Sequence, residues 1–427
     1  MNNQLFSINL PVFLSLLLII GLVIIALYGH LSILLGVYIA SSFWINIPIL
    51  KLIDTISIQL NYFLIPLLFF NWLLHFYRNK QLRNFRKIDL VFGIFIFVWI
   101  CWTLFNVIIN GIPPDYFKIF FIILVFNLFI PNISISFLNI KGFNNFLYSY
   151  LLTEILLSFL VMVNFTAYYK YFLFDLINYF ELIPASAYSI NYHAFGRVAM
   201  IGLFFGLIGI INKENKKFVT KLFFAISIPI SFYVIIWSGA RQYLLGSFVG
   251  LILFVIWVLF KSDKKKLLLI LLFLLIGSFF LINTNLQVLR FTNLVSTDMN
   301  VRESIWNSMW MDFGKSPLIG NGIFYGSPLP VSHGLILDSF ASQGVIGFVF
   351  LLLFLGFVLL FSKGSLKRNN SAVDAWRIGT LFLFFSTLIQ SQFSANMISA
   401  YNLYFVGFVI WRLNFLISSS PVNRINN

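Results

Sequence analysis

Cysteine occurs once, at Cys101, inside an apolar run. One thiol in that setting excludes a disulfide framework and a thiolate metal site. Histidine occurs four times, at positions 30, 75, 193 and 333. No HExxH pair and no paired-carboxylate pattern accompanies them, so no catalytic metal is expected. Acidic residues are scarce, 13 against 28 Lys and Arg, for a net charge of +15. The chain has no polar tract long enough for a soluble domain, no low-complexity tract and no internal repeat. It also has no Lys or Arg before Lys51. A cleaved signal peptide needs a basic start, so the first apolar segment is expected to be retained.

What is abundant is apolar sequence. Of the 427 residues, 60% are hydrophobic, and the mean hydropathy is +0.95. That balance belongs to a polytopic membrane protein. About thirteen segments are long enough to span a bilayer of ~30 Å, which takes roughly 20 residues each. Their cores are 10–28, 31–49, 56–76, 89–109, 117–135, 145–165, 195–212, 220–237, 243–260, 267–283, 345–362, 378–395 and 401–416. Only Gly29 and His30 separate the first two, which form a tight hairpin or one irregular element. The expected fold is therefore a single all-α transmembrane domain over residues 1–427, with about 12–14 spans and one long outer loop, 284–344.

The basic residues orient the chain. Of the 28 Lys and Arg, 18 fall in loops 78–87, 213–221, 261–266, 363–377 and at Lys141. All of these loops lie on one side if the segments alternate, which makes that side cytoplasmic. The surplus positive charge is thus a topology signal. No basic stripe interleaved with aromatics is present, so nucleic acid is excluded as a partner. The same parity puts 166–194, 238–241 and 284–344 outside. Arg197, Arg241, Arg290, Arg302 and His333 then lie at or beyond the outer membrane face.

The outer loop is where polar chemistry concentrates. Asn300 and Glu303 have capping-box spacing. They start a short amphipathic helix over about 301–313, with Arg302, Trp306 and Trp310 on one face. Gly314 and Pro317 are expected to end it. The segment PLIGNG, 317–322, follows. His333 then opens a stretch running through Gly344 and Gly347 into a membrane segment.

The order R-x3-W, P-L-x-G-x-G, H-x10-G-x2-G, with Ser238-Gly-Ala-Arg241 and Leu245 upstream, resembles the O-antigen ligase and polymerase superfamily. The matched motifs cover about a quarter of the chain. In ligases the residue after the histidine is usually Asn, Ser or Gln; here it is Gly334. That departure, and Leu-Asp-Ser at 337–339, favour a polymerase over a ligase. The resemblance implies a glycosyltransferase of the bacterial inner membrane with a cleft facing the periplasm. Its donor would be an undecaprenyl-diphosphate-linked oligosaccharide, and its roles would lie in lipopolysaccharide or other surface-polysaccharide biosynthesis. A chain-length regulator protein and membrane lipids are the other implied partners. No cofactor is implied.

In that setting His333 is the expected base, with an ordinary pKa near 6.5 that suits proton removal at neutral pH. Outside the motif it would read as a plain helix-start histidine. Arg241 and Arg302 are the expected diphosphate clamp, because guanidinium binds phosphate bidentately and stays charged. Arg290 and Arg197 stand behind them; a single interfacial arginine would read as a snorkelling anchor. Trp306, Trp310, Phe324 and Tyr325 either stack on sugars or form an interfacial aromatic belt. Asn191 and His193 open the seventh segment on the outer side and are cleft candidates. Glu154 is the one acid in mid-span, bonded within the bundle or part of a polar cavity. The competing reading of another class, a lipid-linked oligosaccharide flippase or other transporter, calls for inverted repeats or paired broken helices. The sequence shows neither.

Overall fold

The computed structural model describes residues 20–28, 30–41, 51–53, 56–57, 60–78, 87–111, 123–168, 192–212, 215, 217–238, 241–260, 299–322, 334–363, 372–394 and 400–418. In chain order, α1 covers residues 20–27 and α2 is Leu31–Ala40. A short antiparallel hairpin follows, β1 (Lys51–Ile53) with β2 (Ile56–Ser57). The helices continue with α3 (Leu60–Arg78) and α4 (Lys87–Asn110). A π-helical stretch, Ile123–Phe129, then leads into α5 (Ile130–Ser136). Next come α6 (Ile140–Tyr168), α7 (Tyr192–Ile211), α8 (Phe218–Trp237) and α9 (Arg241–Phe260). The last four are α10 (Met299–Lys315), α11 (Leu335–Ser362), α12 (Ala372–Ser394) and α13 (Tyr401–Ser418).

Apart from the hairpin, the described elements are helices, and apolar ones. Four of them are long and apolar enough to cross a membrane: Lys87–Asn110, Phe218–Ile236, Gln242–Phe260 and Leu335–Ser362. Leu31–Ala40, Leu64–Leu74 and Phe195–Ile211 are shorter apolar stretches. The expected segment 267–283 lies outside the described residues. Residues 56–57, expected to start a span, belong instead to the hairpin, and the helix begins at Leu60. Between α1 and α2 the chain breaks only at 28–30, where the amides of Ile33 and Leu34 restart a helix on the His30 carbonyl. In the segment expected at 117–135, Pro131 has no N–H to give a helix. A wider π turn precedes it.

The chain divides into two compact units. Unit 1 takes 1–80, 137–206 and 226–240. In it, α2 lies on α6, where Gly36 lets the backbone approach Phe146 and Tyr150 closely. Asn71 Nδ2 on α3 donates to the Ala26 carbonyl at 2.9 Å, tying α3 to α1.

Unit 2 takes 81–136, 207–225 and 241–427. Its core is aromatic and helix-periodic. Phe92, Phe95 and Trp99 form one face of α4. They meet Phe350, Phe354, Phe357 and Phe361 on α11 and Tyr404, Phe408 and Trp411 on α13. In lipid no hydrophobic drive favours helix over tail, so this interlock works by van der Waals fit and edge-to-face geometry. Polar contacts pin it: Trp411 Nε1 donates to buried Asp89 at 3.0 Å, and Asn414 Nδ2 on α13 donates to the Phe361 carbonyl on α11. Beside it, α9 packs on α12 through Phe254 and Phe382.

Candidate functional site

The polar loop motifs meet at a break in α11. Gly344 has φ of 67°, outside helical space, so α11 is two pieces joined there. A break inside an apolar helix strands backbone groups, and each one left unpaired in hydrocarbon is costly. The PLIGNG loop satisfies them. The amides of Asn321 and Gly322 donate to the carbonyls of Ala341 and Ser342, both at 2.9 Å. In return the amide of Val345 donates to the Pro317 carbonyl at 2.9 Å. Asn321 Nδ2 adds bonds to the carbonyls of Asp312 and Ala341, joining the end of α10 to the same place.

Two glycines make this approach possible. Gly320 has φ of 81°, and a β-carbon on it would overlap the backbone of Ser342. A β-carbon on Gly344 would overlap the Leu318 carbonyl. The motif glycines are thus a backbone clasp. From α4, fully buried Asn106 holds the clasp by donating to the Ile319 carbonyl at 2.6 Å. Gln343 reaches Thr103 on the same helix.

The clasp sets α10 alongside the first piece of α11. Trp310 stacks on Phe340, and Phe313 meets Phe340 edge-on. One turn earlier, Trp306 stands with its indole nitrogen about 3.8 Å from where a Gly334 β-carbon would be. That indole N–H is buried and has no hydrogen-bond partner. Gly334 caps α11 in extended conformation, and Gln392 on α12 accepts from the Ile336 amide at 3.3 Å. His333 itself lies outside the described residues, but its chain neighbour Gly334 is the residue facing Trp306.

Arg302 sits on α10 one turn before Trp306, with its side chain outside the described residues. The helix starts at Met299, so Asn300 is its second residue rather than its cap and Glu303 lies past the first turn; it runs through Gly314 to Lys315. Lys315 pairs with Asp312 there at 2.6 Å. Arg241 is the first residue of α9; its side chain is also outside the described residues. Arg290, Asn191 and Tyr325 lie outside them altogether. Arg197 and His193 are on the first turns of α7, Arg197 half-buried and the His193 side chain not described.

The sequence reading missed Asn106, Thr103 and Gln392. Each acts on backbone or on one side chain of a distant segment, and an isolated Asn, Thr or Gln in an apolar run gives no hint of its partner. Asp338, buried in the first turn of α11, accepts weakly from Ser342 at 3.5 Å.

Together these features define a helical membrane-embedded protein whose polar loop is built onto a broken helix. The sequence matches no family model and no curated protein.

Proposed function

We propose that this chain is a bacterial inner-membrane glycosyltransferase that polymerises undecaprenyl-diphosphate-linked oligosaccharide repeats at the periplasmic face. The observation that carries this reading is the pairing of Trp306 with Gly334. It brings the helix bearing Arg302 beside the residue bonded to His333. A cation for the diphosphate and a base for the acceptor belong side by side in such a reaction. The loop basicity supports the periplasmic assignment of this face.

In the proposed reaction His333 takes the proton from an acceptor sugar hydroxyl. The freed oxygen attacks C1 of the donor sugar, and the C1–O bond to the diphosphate breaks. The electron pair leaves with the diphosphate, whose charge Arg302 and Arg241 hold, with Arg290 and Arg197 as further candidates. One displacement inverts the anomeric centre. The arginines supply the positive charge that a metal ion supplies in other phosphate chemistries. The indole N–H of Trp306 has no acceptor among the described residues, so it is available to a sugar hydroxyl or a phosphate oxygen.

A deletion strain tests the reading. Lipid A–core carrying a single repeat is the expected phenotype, and purified protein should lengthen lipid-linked repeats in vitro. Bare core with lipid-linked polymer would make the chain a ligase instead. Unchanged surface glycan would overturn both.

A further inference from the structure

Unit 1 contains a polar patch that the transferase reading does not use. Glu154 on α6 is 0% exposed, and neither carboxyl oxygen has a hydrogen-bond partner. It is the one acidic residue among the described residues of unit 1. The carboxyl lies against Gly202 on α7, where any β-carbon would overlap it. Ser158 stands one turn further along α6 and is buried, its hydroxyl also without a partner. From α8, Ser231 brings a second unpartnered buried hydroxyl close to the carboxyl, short of hydrogen-bond geometry.

Serines in apolar helices ordinarily donate to a carbonyl one turn back, as Ser134, Ser386 and Ser391 do here. Ser158 and Ser231 do not. Four side-chain oxygens from α6 and α8 are therefore left over around one buried carboxyl, beside the backbone of α7. Buried polar groups without partners call for an explanation, and an acid inside a membrane helix is a functional site by default.

The ligand follows from charge. Water would satisfy the oxygens and leave a buried negative charge uncompensated. A divalent ion on a lone carboxylate would leave a net positive charge in the same surroundings. A monovalent cation satisfies the oxygens and cancels the charge, and hard oxygen donors suit it. Of the titratable groups on the neighbouring helices, Tyr150 on α6 lies within electrostatic reach of both Glu154 and Arg197. Its hydroxyl is committed to the Val198 carbonyl at 2.8 Å. Arg197 on α7 makes no hydrogen bond to either Glu154 oxygen. The others on these helices are Lys141, Tyr148 and Tyr168 on α6, Tyr192 and His193 on α7, and Lys221 and Tyr233 on α8, with Tyr38 on α2.

We propose that Glu154, Ser158 and Ser231 form a monovalent-cation site, taking Na⁺ or a proton, whose occupancy holds α6, α7 and α8 together. This does not rest on the transferase reading.

The test compares unfolding of the purified full chain in sodium and in choline chloride at equal ionic strength, at mildly alkaline and mildly acidic pH. If Na⁺ is the ligand, the wild type melts higher in sodium at alkaline pH, and the gap narrows on acidification as protons compete. If only a proton binds, sodium has no effect and the wild type gains on acidification relative to Glu154→Gln. In either case Glu154→Gln, a standing mimic of the neutral acid, should lose the response. Ser231→Ala, which keeps the carboxylate, should raise the sodium midpoint several-fold if Na⁺ is bound. Wild type and Glu154→Gln responding alike to both sodium and pH would overturn the proposal. Should Glu154→Gln fail to fold, dicyclohexylcarbodiimide, which attacks protonated buried carboxyls, gives an independent reading in wild-type membranes. Modification of Glu154 at acidic pH is expected, suppressed by sodium only if Na⁺ binds. No adduct at any pH would overturn the proposal.

Discussion

Two polar places interrupt the apolar helices of this chain, and they are built on opposite terms. At the clasp in unit 2, a broken helix frees backbone groups and the 316–322 loop takes them up. Around Glu154 in unit 1, the surrounding helices are continuous and the side-chain oxygens are left over. Satisfied polarity in lipid is architecture; leftover polarity is a place for something else. The motif glycines therefore explain the shape of the 316–322 loop and none of its chemistry. In the proposed transferase, chemistry would come from Trp306 beside the clasp and from Arg302 and His333, its neighbours along the chain.

The sharpest division of architecture from chemistry is His333→Ala. If His333 is the base, turnover should fall roughly 10²–10⁴-fold, the usual range for a positioned acid–base group. Donor binding and thermal stability should stay near wild type, because the proposed reaction gives the diphosphate contacts to arginines. The measurement is transfer from purified lipid-linked repeat, with donor binding assayed separately. Full transfer activity would remove His333 from the mechanism. Loss of binding together with rate would give the imidazole a phosphate contact instead.

The converse is Gly344→Ala. A side chain at φ of 67° costs about 1–3 kcal/mol in strain alone. Its overlap with the Leu318 carbonyl would also push the loop off α11. Folded yield and melting temperature should fall first, with activity following them down. A Gly344→Ala protein that melts like wild type would mean the clasp is not what holds the loop.

The apolar runs made the helices readable, because an apolar run of roughly 20 residues predicts a membrane helix by composition and length alone. Thus α4, α7, α8, α9, α12 and α13 all lie where the hydropathy put spans. The hairpin at 51–57 was not readable, since Ile and Ser there fit a helix start as well as a strand. Nor was the break at Gly344: the H-x10-G spacing says that glycine recurs, and only the fold shows its backbone meeting Pro317 and Leu318. Asn106 was invisible for the same reason, as its partner is a carbonyl on a distant loop. Of the predicted site, the Trp306 face of α10 and the residue after His333 come together. Arg290, Asn191 and Tyr325 lie outside the described residues.

A smaller effect is expected from Arg302→Lys. Charge is kept, but a point ammonium replaces a planar fork that grips two phosphate oxygens. Losing one charge-assisted hydrogen bond costs about 1.5–3 kcal/mol, or roughly 10- to 100-fold in transfer efficiency. Arg241→Lys should behave alike. Both proteins should insert and melt normally, since lysine keeps the positive charge and is as good a helix former as arginine. Near-normal polymer length from both, at matched protein levels, would make these arginines interfacial anchors.

The smallest effect is expected one helix-length away from the break. Gly356 lies on α11 with nothing within 4 Å of where its β-carbon would stand. In water, Gly→Ala inside a helix stabilises by roughly 0.5–1 kcal/mol, mainly by restricting the unfolded chain. In a bilayer the unfolded reference keeps its helices, because backbone groups there must stay paired. That entropic gain is then mostly absent, and no neighbour is touched. Gly356→Ala should therefore melt within about 0.5 kcal/mol of wild type, while Gly344→Ala on the same helix does not. If both glycines tolerate alanine equally, the positive φ at Gly344 imposes no constraint. If both fail, α11 is sensitive throughout its length, and the contrast between clasp and plain helix would be lost.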